Sequence, residues 1–209
     1  MDAGLSMLVL ADVGAISEEQ TQKLNPWIER GGVLLRFAGP RLATATDTLL
    51  PVTLRQGDRS LGSSLSWEVP QGLAAFPETS PFAGLVVDPK IKVQKQVLAE
   101  PSPELPDRTW ASLEDGTPLV TAEKRGKGLV VLVHVTANAD WSSLPLSGLF
   151  LDMLQRVAGL DAAATQTSNQ VADANYVPRL LLSGDGALVA PAETVQPLSQ
   201  AAMDKAVAS

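Results

Sequence analysis

Residues 5–39, LSMLVLADVGAISEEQTQKLNPWIERGGVLLRFAG, decide how this chain folds. The opening run, Leu5 to Leu10, is short and nearly continuously apolar, the pattern of a strand buried on both faces. Asp12 and Gly14 follow at its carboxyl end. Ser17-Glu18-Glu19-Gln20 is a capping box: the serine oxygen accepts an orphan backbone N–H and the glutamine reaches back. The two glutamates suit the positive end of the helix dipole, and Leu24, Trp27 and Ile28 give the helix an apolar stripe. Asn25-Pro26 predicts a kink, or a second helix start with Asn25 as its cap. Gly31 and Gly32 end the helix, and Val33 to Phe37 form the next strand. Strand, helix, strand in this order is a parallel βαβ unit. The turn that follows, Phe37-Ala38-Gly39-Pro40-Arg41, lies where many α/β enzymes carry a nucleophile, and it contains none. The scaffold is of enzyme type; the chemistry is not there.

Outward from this unit the pattern changes. From about Leu49 to Arg108 the chain is rich in Pro, Gly and Ser, with short alternating runs at Ser60 to Val69 and Ile91 to Leu98. This predicts a β-rich insertion or sheet extension. Trp110 to Leu113, Pro118 to Lys124 and Leu129 to Val135 follow, separated by Asp115-Gly116 and Gly126-Lys127-Gly128, and predict a β-meander. Leu129 to Val133 is the most apolar strand and is expected at the centre of the sheet. A helix is expected over Leu146, Leu149, Phe150, Met153, Leu154 and Val157, whose spacing gives one apolar face, with Pro145 in its first turn. One α/β domain over residues 1–160 is expected, then a linker from 161 to about 175, a hairpin from Val177 to Leu182 with Ala187 to Ala190, and a fraying end from Gln196. The fold class is α/β: a parallel core with an antiparallel β extension and a β-rich insertion.

Composition excludes several functions. With 209 residues, 45% of them hydrophobic, the chain builds a full core. A net charge of -7 repels nucleic acid and anionic lipid, so neither is expected as a partner. The clusters Lys90, Lys92, Lys95 and Lys124, Arg125, Lys127 read as solvated surface. No cysteine means no disulfide and no thiolate chemistry. A single histidine, His134, speaks against a zinc or iron site, and no cofactor is expected. No run is long and apolar enough to span a bilayer. The abrupt entry into a strand at Leu5 is expected of a piece of a longer protein.

Two groups of residues carry a family resemblance. L-V-L-A-D-V-G-A-I-S-E-E-Q with W-I-E-R-G-G-V-L-L-R-F-A-G-P-R resembles the first portion of class I glutamine amidotransferase-like domains. G-T-P-L-V-T-A-E-K-R-G-K-G-L-V-V-L-V-H-V-T with D-W-S-S-L-P-L-S-G-L-F resembles one branch of them, found inside large bacterial membrane proteins that begin with an aerotolerance-regulator-type segment of two transmembrane helices. The resemblance covers roughly Leu5 to Gly159. It implies a flavodoxin-like, glutamine amidotransferase-like sheet, and a parent anchored in the inner membrane with this domain in the periplasm. Active members use a cysteine at the strand-to-helix elbow, activated by a histidine that a carboxylate orients. Here the elbow matches Ala38-Gly39-Pro40, and Val135-Thr136 follow His134 where the family has Pro-Glu. Glutaminase or protease activity is therefore not expected.

Six residues remain as candidates for a ligand site. Asp12 lies at the carboxyl end of a parallel strand, the usual crevice of open sheets, or serves as a loop residue bonding to backbone N–H groups, which its position favours. Gly39 and Arg41 share that edge; Arg41 either forks a carboxylate or phosphate or pairs with a surface acid. His134 is a surviving base or, as favoured in an apolar strand, a packed and hydrogen-bonded residue. Asp140 and Trp141 either line a site, or Trp141 plugs the sheet edge while Asp140 or Ser143 caps the next helix. Two functions follow. One is a non-catalytic scaffold or interaction domain that binds protein partners or other domains of its own chain, with a partner surface on the insertion. The other is small-ligand sensing or atypical hydrolysis in the crevice near Asp12, Gly39, Arg41 and His134.

Overall fold

The computed structural model describes residues 5–44, 47–55, 64–166, 175–176, 181–182, 188–189 and 198–199. Strand β1 (Met7–Ala11) leads to helix α1 (Glu18–Glu29), and strand β2 (Val33–Phe37) returns parallel to β1, pairing Met7 with Val33 and Ala11 with Phe37. The capping box forms as expected: Ser17 Oγ accepts from the Gln20 amide at 3.3 Å and Gln20 Oε1 accepts from the Ser17 amide at 3.2 Å. Helix α1 runs through Pro26 as one element, with no second start at Asn25. Gly32 is required where the chain leaves α1, because a Cβ there would lie 2.3 Å from the Trp27 indole.

A four-residue helix α2 (Pro40–Ala43) follows β2 directly. Strands β3 (Ser64–Gln71) and β4 (Val93–Val97) pair antiparallel as a separate two-stranded sheet. Ser60 to Ser63, expected as the start of β3, lie outside the described residues. A short helix α3 (Leu105–Arg108) precedes β5 (Thr109–Ser112), β6 (Pro118–Arg125) and β7 (Gly128–Val133). These three form the expected meander, and β7 pairs parallel with β2. The main sheet therefore has the order β1-β2-β7-β6-β5, with the most apolar strand third of five. Its class is mixed α/β, parallel on the β1 side and antiparallel on the β5 side.

Alternation along the strands assigns the two faces. Val33, Leu35 and Phe37 of β2 pack with Val131 and Val133 of β7 and with Leu149, Met153 and Val157 of helix α4 (Gly148–Gln166). Leu34 and Val130 turn the other way and pack with Leu24, Trp27 and Ile28 of α1. Burying each of these large side chains stabilises by about 1.5–3 kcal/mol. A further cluster joins Ala38, Leu42, Leu54, Val97, Leu132 and Trp141, so the segment read as a β-rich insertion or sheet extension contributes side chains to the core.

Several sequence expectations change. Strand β1 is not buried on both faces; it is the edge strand, and Val9 is 46% exposed. Pro145 and Leu146 belong to a 3-10 turn (Leu144–Leu146) before α4, not to its first turn, and Leu146 is exposed. Ser147 caps α4, its Oγ accepting the Phe150 amide at 3.2 Å. The helix continues to Gln166, through the first residues of the expected linker. Met1–Ala164 forms one compact unit and Thr165–Ser209 another. In the second unit β9 (Leu181–Leu182) pairs antiparallel with β10 (Leu188–Val189), within the expected hairpin. Strand β8 (Asn175–Tyr176) pairs with β11 (Leu198–Ser199), where a fraying end was expected. The turn at Gly184-Asp185-Gly186 lies outside the described residues. No helix among the described residues is long and apolar enough to cross a membrane.

Candidate functional site

The carboxyl ends of β1 and β2 meet at Asp12 and Gly39. Asp12 has a positive φ of 47°, and its amide donates to the Phe37 carbonyl at 3.0 Å, which fastens the end of β1 to the end of β2. Its carboxylate then turns onto the first turn of α2. Oδ1 accepts from the amides of Arg41 and Leu42, each at 3.1 Å, and Oδ2 from Arg41 at 3.3 Å. These amides are orphan donors of the helix start, and a carboxylate is a strong acceptor for them. The reading of Asp12 as a residue bonding to backbone N–H groups matches this geometry. Gly39 is buried and extended, and a Cβ built on it would lie 2.5 Å from the Asp12 carboxyl carbon. The Asp12 carboxylate thus fills the space that any side chain at position 39 would enter.

A second tie lies just behind. Arg36, inside β2, is 1% exposed, and its Nη1 meets the Asp47 carboxylate at 2.7 and 2.9 Å and the Leu49 carbonyl at 3.0 Å. Its Nη2 donates to the carbonyls of Gly14 at 3.2 Å and Val13 at 3.4 Å. Asp47 also accepts from the amides of Ile16 at 2.9 Å and Leu49 at 2.8 Å. One buried ion pair therefore holds the loop after β1 to the segment after α2. Sequence reasoning missed this pair. The signal was present on one side only: a charged residue in a strand buried on both faces needs a partner. Nothing in the sequence names Asp47 as that partner.

His134 lies one residue past β7, fully buried. Its Nδ1 is 2.7 Å from the Val97 carbonyl, which only accepts, so that nitrogen carries the proton. Nε2 then accepts from the Thr121 hydroxyl at 2.9 Å. Burial lowers its pKa from 6.5 to about 4, against a smaller upward pull from the Val97 carbonyl, so the ring is neutral near pH 7. Both ring nitrogens are occupied within the fold. Trp141 is buried with Ala38, Leu42, Val97 and Leu132, and its carbonyl accepts from the Gln94 and Lys95 amides of β4. Neither Asp140 nor Ser143 caps α4. Asp140 is exposed and accepts from the Asn138 side chain at 2.8 Å, and the Ser143 hydroxyl accepts from the Lys92 amide at 2.9 Å. Arg41 is exposed, and no acid pairs with its guanidinium among the described residues.

An open cleft of about 360 Å³ lies at this edge, and its lining includes Asp12, Pro40, Thr136, Asn138 and Asp140. Of the six candidates the cleft gathers Asp12 and Asp140; Gly39, Arg41, His134 and Trp141 are not among the described residues that line it. It offers two carboxylates, a hydroxyl and an amide, and no imidazole lines it among the described residues. No group of three or more metal-ligating side chains is assembled among the described residues.

The sequence matches no protein-family model and no curated protein. The fold does have relatives among solved structures. It is similar to a cytoplasmic protein from Salmonella typhimurium, with a TM-score of 0.58 and 14% identity over 73% of this chain and 70% of that one. A second cytoplasmic protein, from Salmonella typhimurium LT2, gives a TM-score of 0.53 and 13% identity over 77% of this chain and 71% of that one. A β-galactosidase from Rahnella sp. R3 gives 0.41 at 14% identity over 78% of this chain and 22% of the enzyme, a score too low to extend the fold to it. At these identities the likeness is one of fold and says nothing of activity.

Proposed function

We propose that this chain is a non-catalytic interaction domain of the glutamine amidotransferase-like type, with a flavodoxin-like sheet, belonging to a larger membrane-anchored bacterial protein. The observation that carries this reading is the filled elbow. Where an active member would present a cysteine, Gly39 lies against the Asp12 carboxylate, and the Arg41 and Leu42 amides, the donors an oxyanion would need, are bound by that carboxylate. His134 adds support, since a neutral imidazole with both nitrogens occupied inside the fold has no free lone pair for a substrate. Binding of protein partners or of other domains of the same chain is what such a scaffold offers. The inner-membrane anchor and periplasmic placement belong to the same proposal and rest on the resemblance alone. A topology reporter fused to the full-length parent tests them.

A second reading is small-ligand sensing or atypical hydrolysis at the edge near Asp12, Gly39, Arg41 and His134, and of these four the cleft is lined by Asp12 alone. One experiment separates the two. The chain is assayed for ammonia release from glutamine and for thermal shifts with glutamine, other amino acids, sugars, nucleotides and peptidoglycan fragments, with Arg41→Ala in parallel. No hydrolysis and a flat panel are expected. A ligand at a hundred times its Kd would add about 2.7 kcal/mol. A shift of that size that disappears in Arg41→Ala replaces the scaffold reading with the sensor.

A further inference from the structure

The two edges of the main sheet are treated differently. At the β5 edge the pairing with β6 is irregular, and the chain around Gly72 to Ala74 lies against it: Leu73 bridges to Leu113 and the Ala74 amide donates to the Ser112 carbonyl at 3.0 Å. Irregular pairing and a covering segment both protect a sheet edge from further pairing. Among the described residues strand β1 has neither. The Val33 amide donates to the Ser6 carbonyl and the Asp12 amide to the Phe37 carbonyl. In a parallel ladder this parity turns Ser6, Leu8, Leu10 and Asp12 toward β2 and points the N–H and C=O groups of Met7, Val9 and Ala11 outward. Among the described residues nothing pairs with them. Leu5 to Ala11 contains no charged residue and no proline, the usual edge guards.

The side chains along this edge have a symmetry of their own. Val9, the middle residue of β1, is 46% exposed, and Leu5 before the strand and Val13 after it are 43% and 40% exposed. Beside the strand a mainly apolar groove of about 230 Å³ has Leu8, Leu10, Ile16 and Leu24 in its lining, together with the polar Gln20 and Lys23. An antiparallel copy of β1 placed with Val9 opposite Val9 sets Met7 opposite Ala11 and Leu8 opposite Leu10. Outward backbone groups then meet outward backbone groups, and every facing residue within the strand is apolar.

We propose that β1 is a self-association edge, pairing antiparallel with β1 of a second copy about a two-fold axis through Val9 and joining the two five-stranded sheets. The charge pattern permits it. The chain carries -7, yet the pairing segment is neutral, and repulsion from more distant acids is screened beyond about 8 Å at physiological salt. The area sets the strength. Strand and groove together supply fewer residues than the roughly 20–30 a side of a standard interface, so the dimer is reversible and concentration-dependent. This inference does not depend on the elbow, and the scaffold reading stands or falls separately.

The chain's lack of cysteine makes the test clean. In the proposed register the two Val9 Cα atoms are about 5.5 Å apart, within the roughly 4.4–6.8 Å that a disulfide spans. Val9→Cys under mild oxidation is expected to give a covalent dimer of twice 22.0 kDa, well ahead of Val86→Cys, a control whose position is more exposed at 85%. In analytical ultracentrifugation the mass of the unmodified chain is expected to double with concentration, and Val9→Lys to abolish the doubling with its melting temperature kept. A constant mass of 22.0 kDa, with Val9→Cys cross-linking no faster than Val86→Cys, overturns the proposal.

Discussion

The carboxyl edge of β1 and β2 and the meander half of the same sheet are held together by different means. At the carboxyl edge the work falls to charge: Asp12 on the α2 amides, and Arg36 with Asp47 binding the loop after β1 to the chain after α2. In the meander half, Leu119, Val120, Val131 and Val133 pack in an apolar cluster, and the one buried titratable group, His134, is kept neutral. The parallel side of a sheet ends in loops whose backbone groups need partners, and here side-chain charges supply them. The antiparallel side closes through tight hairpins that leave few such groups. At the carboxyl edge these charges are bonded to backbone groups and to each other, beside the open cleft that Asp12 and Asp140 line.

The largest test of this contrast is Arg36→Met, which fills the volume and leaves the Asp47 carboxylate buried without its cation. A loss of about 3–5 kcal/mol is expected in chemical denaturation. A loss under about 1 kcal/mol, ordinary for an exposed pair, would erase the contrast. Next comes acid. Between pH 6.5 and about 4 the unfolded chain binds a proton at His134 that the folded chain refuses, so stability falls as pH drops through that window. The full effect is about 3 kcal/mol. His134→Gln, which keeps a donor and an acceptor without titrating, should flatten this part of the profile; an unchanged profile would move the acid sensitivity elsewhere. Third is Gly39→Ala, expected to cost about 1–3 kcal/mol by overpacking against Asp12. In a double-mutant cycle Asp12→Ala should recover part of that cost, with a coupling of about 0.5–3 kcal/mol. Additive losses would mean the two residues do not share the space. The smallest is Ser147→Ala, about 1 kcal/mol from the lost α4 cap, measured by thermal melting.

Local patterns were legible where one residue type has one use. The capping box, the double glycine and the Asp115-Gly116 turn each announced their geometry. The centrality of β7 followed from its unbroken apolar run. The burial of β1 did not, because a run of apolar residues reads the same whether its far side meets another strand or solvent. The α4 cap was placed at Asp140 or Ser143 because Pro145 reads as a first-turn residue, whereas Pro145 belongs to the preceding 3-10 turn and Ser147 caps α4. At the candidate site, the satisfied His134 and the backbone-bound Asp12 were readable from their settings. The Arg36–Asp47 pair was not, since its partners are joined only by the fold.

The contact between Gly39 and Asp12 also constrains the order in which this sequence can change. Any side chain at 39 meets a short carboxylate held by three hydrogen bonds, so the first step is a clash whichever residue is tried. Substitution at 12 must come first, and by itself it only strips the α2 amides of their acceptor. Both single steps lose stability before the pair can gain anything. A side chain at this turn is therefore accommodated only by changing positions 12 and 39 together, each change alone lowering stability.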